Sequence, residues 1–338
     1  MITTLFHNRR AYQIENGQIR VTVLAEGGHI AEILHLATGV NPLWVPPWPS
    51  MEPSAWGAET HPMYGNDSES RLLAGIMGHN LCLDVFGPPS EDEARAGMGA
   101  HGEAGVVAYE FEAAADGLRC RCVLPVAQLA FERTIRLEGC RVHIGETVEN
   151  LSPLDRPVAW TQHVTLGPPF LERGRTQFRV SATKSRAIGE TADFEWPYYG
   201  ARDLRVYPAD ESSSGYTAHL MDVGREEAWF VAWSPAARVA AGYAWKRVDF
   251  PWLGIWEENN SRAHTPWLGR TQTRGMEFGV SPFPEPRRRM IERGDLFGTP
   301  GYRWIGARCR VTVEYCAAIG PAAAVPEDWE EFRQAAWG

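Results

Sequence analysis

Glu277 lies in Arg274-Gly275-Met276-Glu277-Phe278-Gly279-Val280, a segment that is apolar around the carboxyl and broken by two glycines. A carboxylate held between Met and Phe loses solvation on burial, which disfavours its charge and raises its pKa toward the range of a general base. A glutamate on the solvent face of an alternating strand is the plainer alternative. Three of the ten histidines stand beside turn-forming residues. His79-Asn80 follows Gly78 and precedes the apolar run Leu81 to Phe86; His101-Gly102 follows Gly97-Met98-Gly99-Ala100. His163 closes Ala159-Trp160-Thr161-Gln162-His163 just before Leu166-Gly167-Pro168-Pro169. A histidine at a strand end is placed to titrate near neutral pH and to pass protons. Each also fits a hydrogen-bonded structural role. Glu257 and Glu258 are adjacent, so an extended backbone sends them to opposite faces and they do not form a working pair. The run Arg287 to Arg289 reads as solvated surface rather than a phosphate site.

The chain has 14 tryptophans, more than a fold alone demands. An indole stacks on the C–H face of a sugar ring while its N–H seeks a polar partner. Trp252, Trp256 and Trp267, with Trp44, Trp48 and Trp56 in a proline-rich loop, would suit a carbohydrate pocket. Taken singly, each also fits a core position. There is no H-x-H, no H-E-x-x-H and no run of carboxylates, so no metal site is expected and a metal-binding cupin is disfavoured. A G-x-S-x-G elbow, a Walker loop and a dinucleotide fingerprint are missing too, which counts against covalent hydrolases, NTPases and dehydrogenases. No cofactor is expected.

These side chains need a scaffold, and the chain reads as strands. Its 33 glycines and 24 prolines break 338 residues into short segments with period-two alternation. Ile19, Val21 and Val23 alternate with Arg20 and Thr22. Phe131, Arg133, Ile135 and Leu137 lead through Glu138-Gly139 into Val142, Ile144 and Val148, a β-hairpin pattern. Leu118 to Val123, Thr176 to Val180 and Arg310 to Tyr315 alternate likewise. Helix candidates are Ser68 to Gly75, Glu91 to Ala96 and Glu327 to Ala336, the last after Pro326 with an acidic first turn. Many short strands and few short helices predict a large all-β antiparallel sandwich or barrel. No fixed repeat points to a propeller, and the Trp- and Pro-rich 43–62 region reads as an ordered loop lining something. A single domain over 1–338 is expected, with a helical tail from about 322 to 338.

Charge excludes one class of partner. The chain carries 33 Lys and Arg against 42 Asp and Glu, a net charge of −9, with no basic cluster to neutralise nucleic-acid phosphates. Only Lys184 and Lys246 are lysines. The longest strongly apolar stretch, around Ala228 to Trp233, is too short to span a bilayer, and Met1 to Arg10 lacks the apolar run of a secretory signal. Cys82, Cys120, Cys122, Cys140, Cys309 and Cys316 lack C-x-x-C spacing and read as small buried hydrophobes in a reducing compartment. A cytoplasmic monomer or homodimer acting on a small molecule is the expectation.

The order of these landmarks resembles the galactose mutarotase-like family, the aldose 1-epimerases and their relatives. Gly27-Gly28-His29-Ile30-Ala31-Glu32-Ile33, within Leu24 to Leu34, is similar to its N-terminal strand pair, and Asn41-Pro42-Leu43-Trp44 to a phrase that follows it. His101-Gly102 resembles its His-Gly motif. Glu149-Asn150-Leu151-Ser152, Pro157 and His163 resemble its strand, turn, proline and second histidine. Phe250-Pro251-Trp252-Leu253-Gly254-Ile255-Trp256 is similar to a late aromatic strand of atypical members, and Glu277 stands where the family carries its catalytic glutamate. The resemblance runs from about residue 15 to about residue 318.

It implies a β-supersandwich of antiparallel sheets with few short helices, and cofactor-free interconversion of α and β anomers of an aldose. Glu277 would take the proton of the C1 hydroxyl, His163 would protonate the ring oxygen, and His101 would steady the ring oxygen or a neighbouring hydroxyl. His79 and Asn80, where the family has an arginine motif, and Trp252 and Trp256 would contact the sugar. Val164-Thr165-Leu166-Gly167 replaces the family's usual phrase after the second histidine, so neither galactose nor glucose follows from the resemblance. Two alternatives are a non-catalytic sugar-binding protein and a carbohydrate lyase or hydrolase on a related sandwich. The isomerase reading expects His163 and Glu277 to face each other across a gap of ~5–8 Å, as carboxylates flank a sugar.

Overall fold

The computed structural model describes residues 1–115 and 117–337, with side chains described as far as 334. Among the described residues, two large antiparallel sheets, one of 12 strands and one of 8, form the body of the molecule, beside two small two-stranded sheets. At the middle of the larger sheet, His79–Asp84, Arg156–Leu166, Gln272–Gly279, Trp252–Asn259 and Ser213–Met221 lie side by side in that order. The smaller sheet is centred on Val239–Lys246, Arg310–Pro321 and Arg141–Asn150. One face of each sheet closes on the other. Trp245 of the smaller sheet stacks on Phe278 of the larger, with ring centroids 4.1 Å apart and planes at 11°.

Alternation locates most strands correctly. The expected hairpin is Leu129–Glu138 paired with Arg141–Asn150, turned at Gly139 with a φ of 57°. Along Arg141–Asn150 every second residue is buried, which is the signature of one face on the core. Ile19–Leu24 differs, since side chains of both parities are buried there. It is a strand interior to the sheet, and the loop leading to His79 and neighbouring strands cover its outer face.

The helices are shorter than the sequence patterns imply. Ser70–Leu73 is a single turn. Glu91–Arg95 carries a capping box in which Ser90 and Glu93 satisfy each other's backbone N–H groups. The C-terminal helix is Trp329–Trp337, and its start is displaced from Pro326 because Asp328 caps it: the Glu331 amide donates to Asp328 Oδ1 at 2.8 Å. Residue 338 of the expected tail lies outside the described residues. No helix among the described residues is long and apolar enough to cross a membrane. The cysteines split, since Cys309 is exposed and Cys316 only partly buried, while the other four are buried. Arg287 is no freely solvated cation either; it bridges Asp84 and Glu93.

Candidate functional site

Register puts the chemistry together. His163 on Arg156–Leu166 lies directly opposite Glu277 on Gln272–Gly279 and opposite Asn80 on His79–Asp84. Residues opposite each other in a sheet share a face, so all three point to the outer face of the larger sheet. There His163 Nε2 is 3.0 Å from Glu277 Oε1, and His163 Nδ1 is 3.0 Å from Thr165 Oγ1. The expected gap between the two is absent; they are in direct contact. Gly275 makes the contact possible, because a Cβ there would stand 2.5 Å from Glu277 Oε1.

Burial decides the charge state of this pair. It pushes the Glu277 carboxyl well above the usual carboxylate range. It also pulls His163 down to about 3, with His101 adding to the effect. The resting pair is therefore a neutral acid and a neutral imidazole that share one proton. Glu277 donates to Nε2, which leaves the ring proton on Nδ1 to be donated to Thr165.

His101 completes the proton-bearing set, its ring 5.4 Å from that of His163 and edge-on to it. Its φ of 63° lies in the left-handed region, and Gly102 follows it at a φ of 82°, where a Cβ would collide with Leu83 O at 2.1 Å. The Gly87 amide donates to His101 Nδ1 at 3.3 Å, so the neutral ring carries its proton on Nε2. Burial, and then Arg262, lower its pKa to about 4.

Above these groups lies a cavity of about 340 Å³, with Trp44, Trp256 and Trp267 among its walls, within the size range of small-ligand sites. Trp44 is pinned beside the pair, since its backbone N–H donates to Thr165 O at 2.8 Å. Trp256 tilts over His163 at 5.8 Å and meets Trp267 edge-on at 6.1 Å. Trp48 packs behind them with its N–H on Leu73 O, and Trp56 lies outside the lining. The Trp267 N–H is buried and has no hydrogen-bond partner, and neither polar atom of the Asn80 carboxamide has one.

Three expected sugar contacts lie off the cavity lining. His79 is the neighbour of Asn80 on a strand, so it points inward, where it is fully buried against Gln162 at 2.9 Å and Tyr243 at 3.3 Å. Trp252 shares the face of Glu277 but is roofed by another segment, with its N–H donated to Pro300 O at 2.9 Å and Phe297 against its ring. Asn80 lies beneath Leu72 and Gly105 rather than on the cavity surface. The cavity instead brings in Tyr216, Glu69 and Arg262, which sequence reasoning missed. The spacing of Glu258 and Arg262 was the one available signal. Glu258 accepts from Ser261 N, Ser261 Oγ and Arg262 N, and this turn lays the guanidinium over Trp267 at 4.5 Å. Glu257 faces the other way, to Arg274 and Arg202, as adjacency implies.

No family model matches the chain, and no curated protein matches it. Solved structures do. One from Klebsiella pneumoniae subsp. pneumoniae, described provisionally as an aldose 1-epimerase, superposes with a TM-score of 0.70 at 13% identity, covering 94% of this chain and 80% of that one. A galactose mutarotase-like protein from Clostridium acetobutylicum gives 0.65 at 12% identity, covering 95% and 98%. A protein from Escherichia coli K12, also provisionally an aldose 1-epimerase, gives 0.63 at 10% identity, covering 92% and 99%. At such identities the likeness is one of fold, and the fold of this chain is galactose mutarotase-like.

Proposed function

We propose that the pocket binds a sugar and that His163 and Glu277 interconvert its α and β anomers by general acid–base catalysis. The observation that carries this reading is the one-proton pair at 3.0 Å on the floor of a tryptophan-walled cavity. Anomerisation needs one proton removed from the anomeric hydroxyl and one delivered to the ring oxygen. Both oxygens are bonded to C1, so two groups that already touch are well spaced to serve them together. A sugar seated with C1 over the pair would exchange the direct hydrogen bond for two bonds to its own oxygens.

With the proton resting on Glu277, ring opening has Glu277 giving a proton to the ring oxygen and His163 taking the hydroxyl proton. Rotation about C1–C2 exposes the other face of the aldehyde, and closure runs both transfers backwards. This order is opposite to the one the family resemblance implies, and burial of both groups is the reason. His101, with its Nε2–H free, donates to a neighbouring sugar oxygen. Each such partner is typically worth ~10²–10⁴-fold in rate.

The direct contact also favours a second reading, a sugar-binding protein whose pair stays closed. Polarimetry on fresh α-D-glucose, α-D-galactose and other aldoses separates the two. Acceleration above the buffer rate supports the isomerase; binding of an aldose with no acceleration supports the binding protein.

A further inference from the structure

Arg262 is the one Lys or Arg among the described residues lining the cavity, and its charge is already taken. Its Nε lies 3.4 Å from Glu258, a carboxylate 1% exposed, and its Nη1 lies 3.9 Å from Glu69 on the opposite loop. Both flat faces of a guanidinium are apolar stacking surfaces, and this one lies against Trp267 at 4.5 Å and Trp256 at 5.6 Å. His101 and His163 add no positive charge at neutral pH. A ligand entering the cavity thus meets Glu69 and Arg262 in its wall, with the buried Glu258 behind the guanidinium already offsetting its charge. A sugar phosphate brings about −1.5 to −2 charges at pH 7, and a uronate brings one; either wants a guanidinium fork with free donors.

We infer that this site takes an uncharged sugar and turns away phosphorylated and carboxylated ones, with Glu69 as the residue that sets the choice. The inference rests on the sugar reading of the pocket and narrows its substrate class. Glu258 is the structural partner of Arg262, built into the turn that carries it. Glu69 reaches it from outside at longer range and is partly exposed. It is the carboxylate whose loss frees part of the guanidinium without dismantling the turn.

The test is a tryptophan-fluorescence titration of the full chain with D-glucose, D-galactose, their 6-phosphates, D-glucuronate and D-galacturonate. It is run on wild type, Glu69→Gln and Glu69→Asp, at low ionic strength and at about 0.5 M salt, where the Debye length is a few ångströms. Wild type is expected to bind a neutral sugar about tenfold or more tightly than its anionic derivative. Glu69→Gln should shrink that preference about tenfold at low salt and less at high salt, while Glu69→Asp restores it. A merely structural role for Glu69 would not give this salt dependence. Wild type binding an anionic sugar as tightly as its parent overturns the inference and leaves the sugar reading standing. So does an unchanged preference in a folded Glu69→Gln. Silence from every sugar of both kinds overturns both.

Discussion

Gln162 and His163 are neighbours on one strand, and the environments on its two faces are opposites. On the inner face, Glu146 accepts from Arg133 at 2.9 Å, Trp160 at 3.0 Å, Gln162 at 2.6 Å and Tyr315 at 2.8 Å. Burial opposes the Arg133 charge, but Glu146 holds its pKa above the ordinary arginine value. That network is charged, closed between the sheets and rich in partners. On the outer face, His163 and Glu277 are just as buried but neutral, share one proton, and open on a cavity. A buried charge with its partners supplied holds structure in place. A buried pair left protonatable at a cavity can act on what enters.

Acid should have the broadest effect, because it reaches buried histidines on both faces. His29, His79, His101, His163 and His219 are all held below the histidine value of 6.5 by burial. Below about pH 6.5 the unfolded chain takes up these protons and the folded chain does not, so stability is full above that pH and lost as pH falls toward 4. Melting curves between pH 8 and 4 should show a falling midpoint through this window; a flat profile would contradict the neutral assignment. Next, Glu146→Gln leaves Arg133 buried without its counter-charge and should cost about 3–5 kcal/mol in urea unfolding.

Glu277→Gln, on the other face, should lower the anomerisation rate ~10²–10⁴-fold without lowering the melting temperature at pH 7. Because its folded pKa is raised, Glu277 weakens the fold as pH climbs above its unfolded value, and the amide removes that cost. Smallest is Trp256→Ala, expected to weaken sugar binding about tenfold in a fluorescence titration, the scale of one aromatic contact.

The scaffold was legible because hydrophobic alternation is local. The Phe131–Val148 hairpin shows it, as do Gly117–Leu124, Gln177–Val180 and Arg310–Pro321. Glu277 was legible because Met276 and Phe278, on the opposite face, mark a strand interior, and the glycines at 275 and 279 leave room beside it. His79 was not: period two puts one of His79 and Asn80 outward, and nothing in the pair says which. Trp252 and Trp256 share a face by spacing, but the roof over Trp252 comes from Phe297 and Pro300, far along the chain. The meeting of Glu69 with Arg262 joins two loops and leaves no local trace.

The most direct test compares two histidines, one from each face. His163→Asn and His79→Asn are purified in parallel, and each is measured by polarimetry per folded molecule and by urea unfolding. His163→Asn should lose ~10²–10⁴-fold in anomerisation rate with its stability kept. His79→Asn should lose about 1–3 kcal/mol of stability while its folded fraction turns over at the wild-type rate. If His163→Asn keeps the wild-type rate, or His79→Asn loses rate without losing stability, the division between the two faces is wrong.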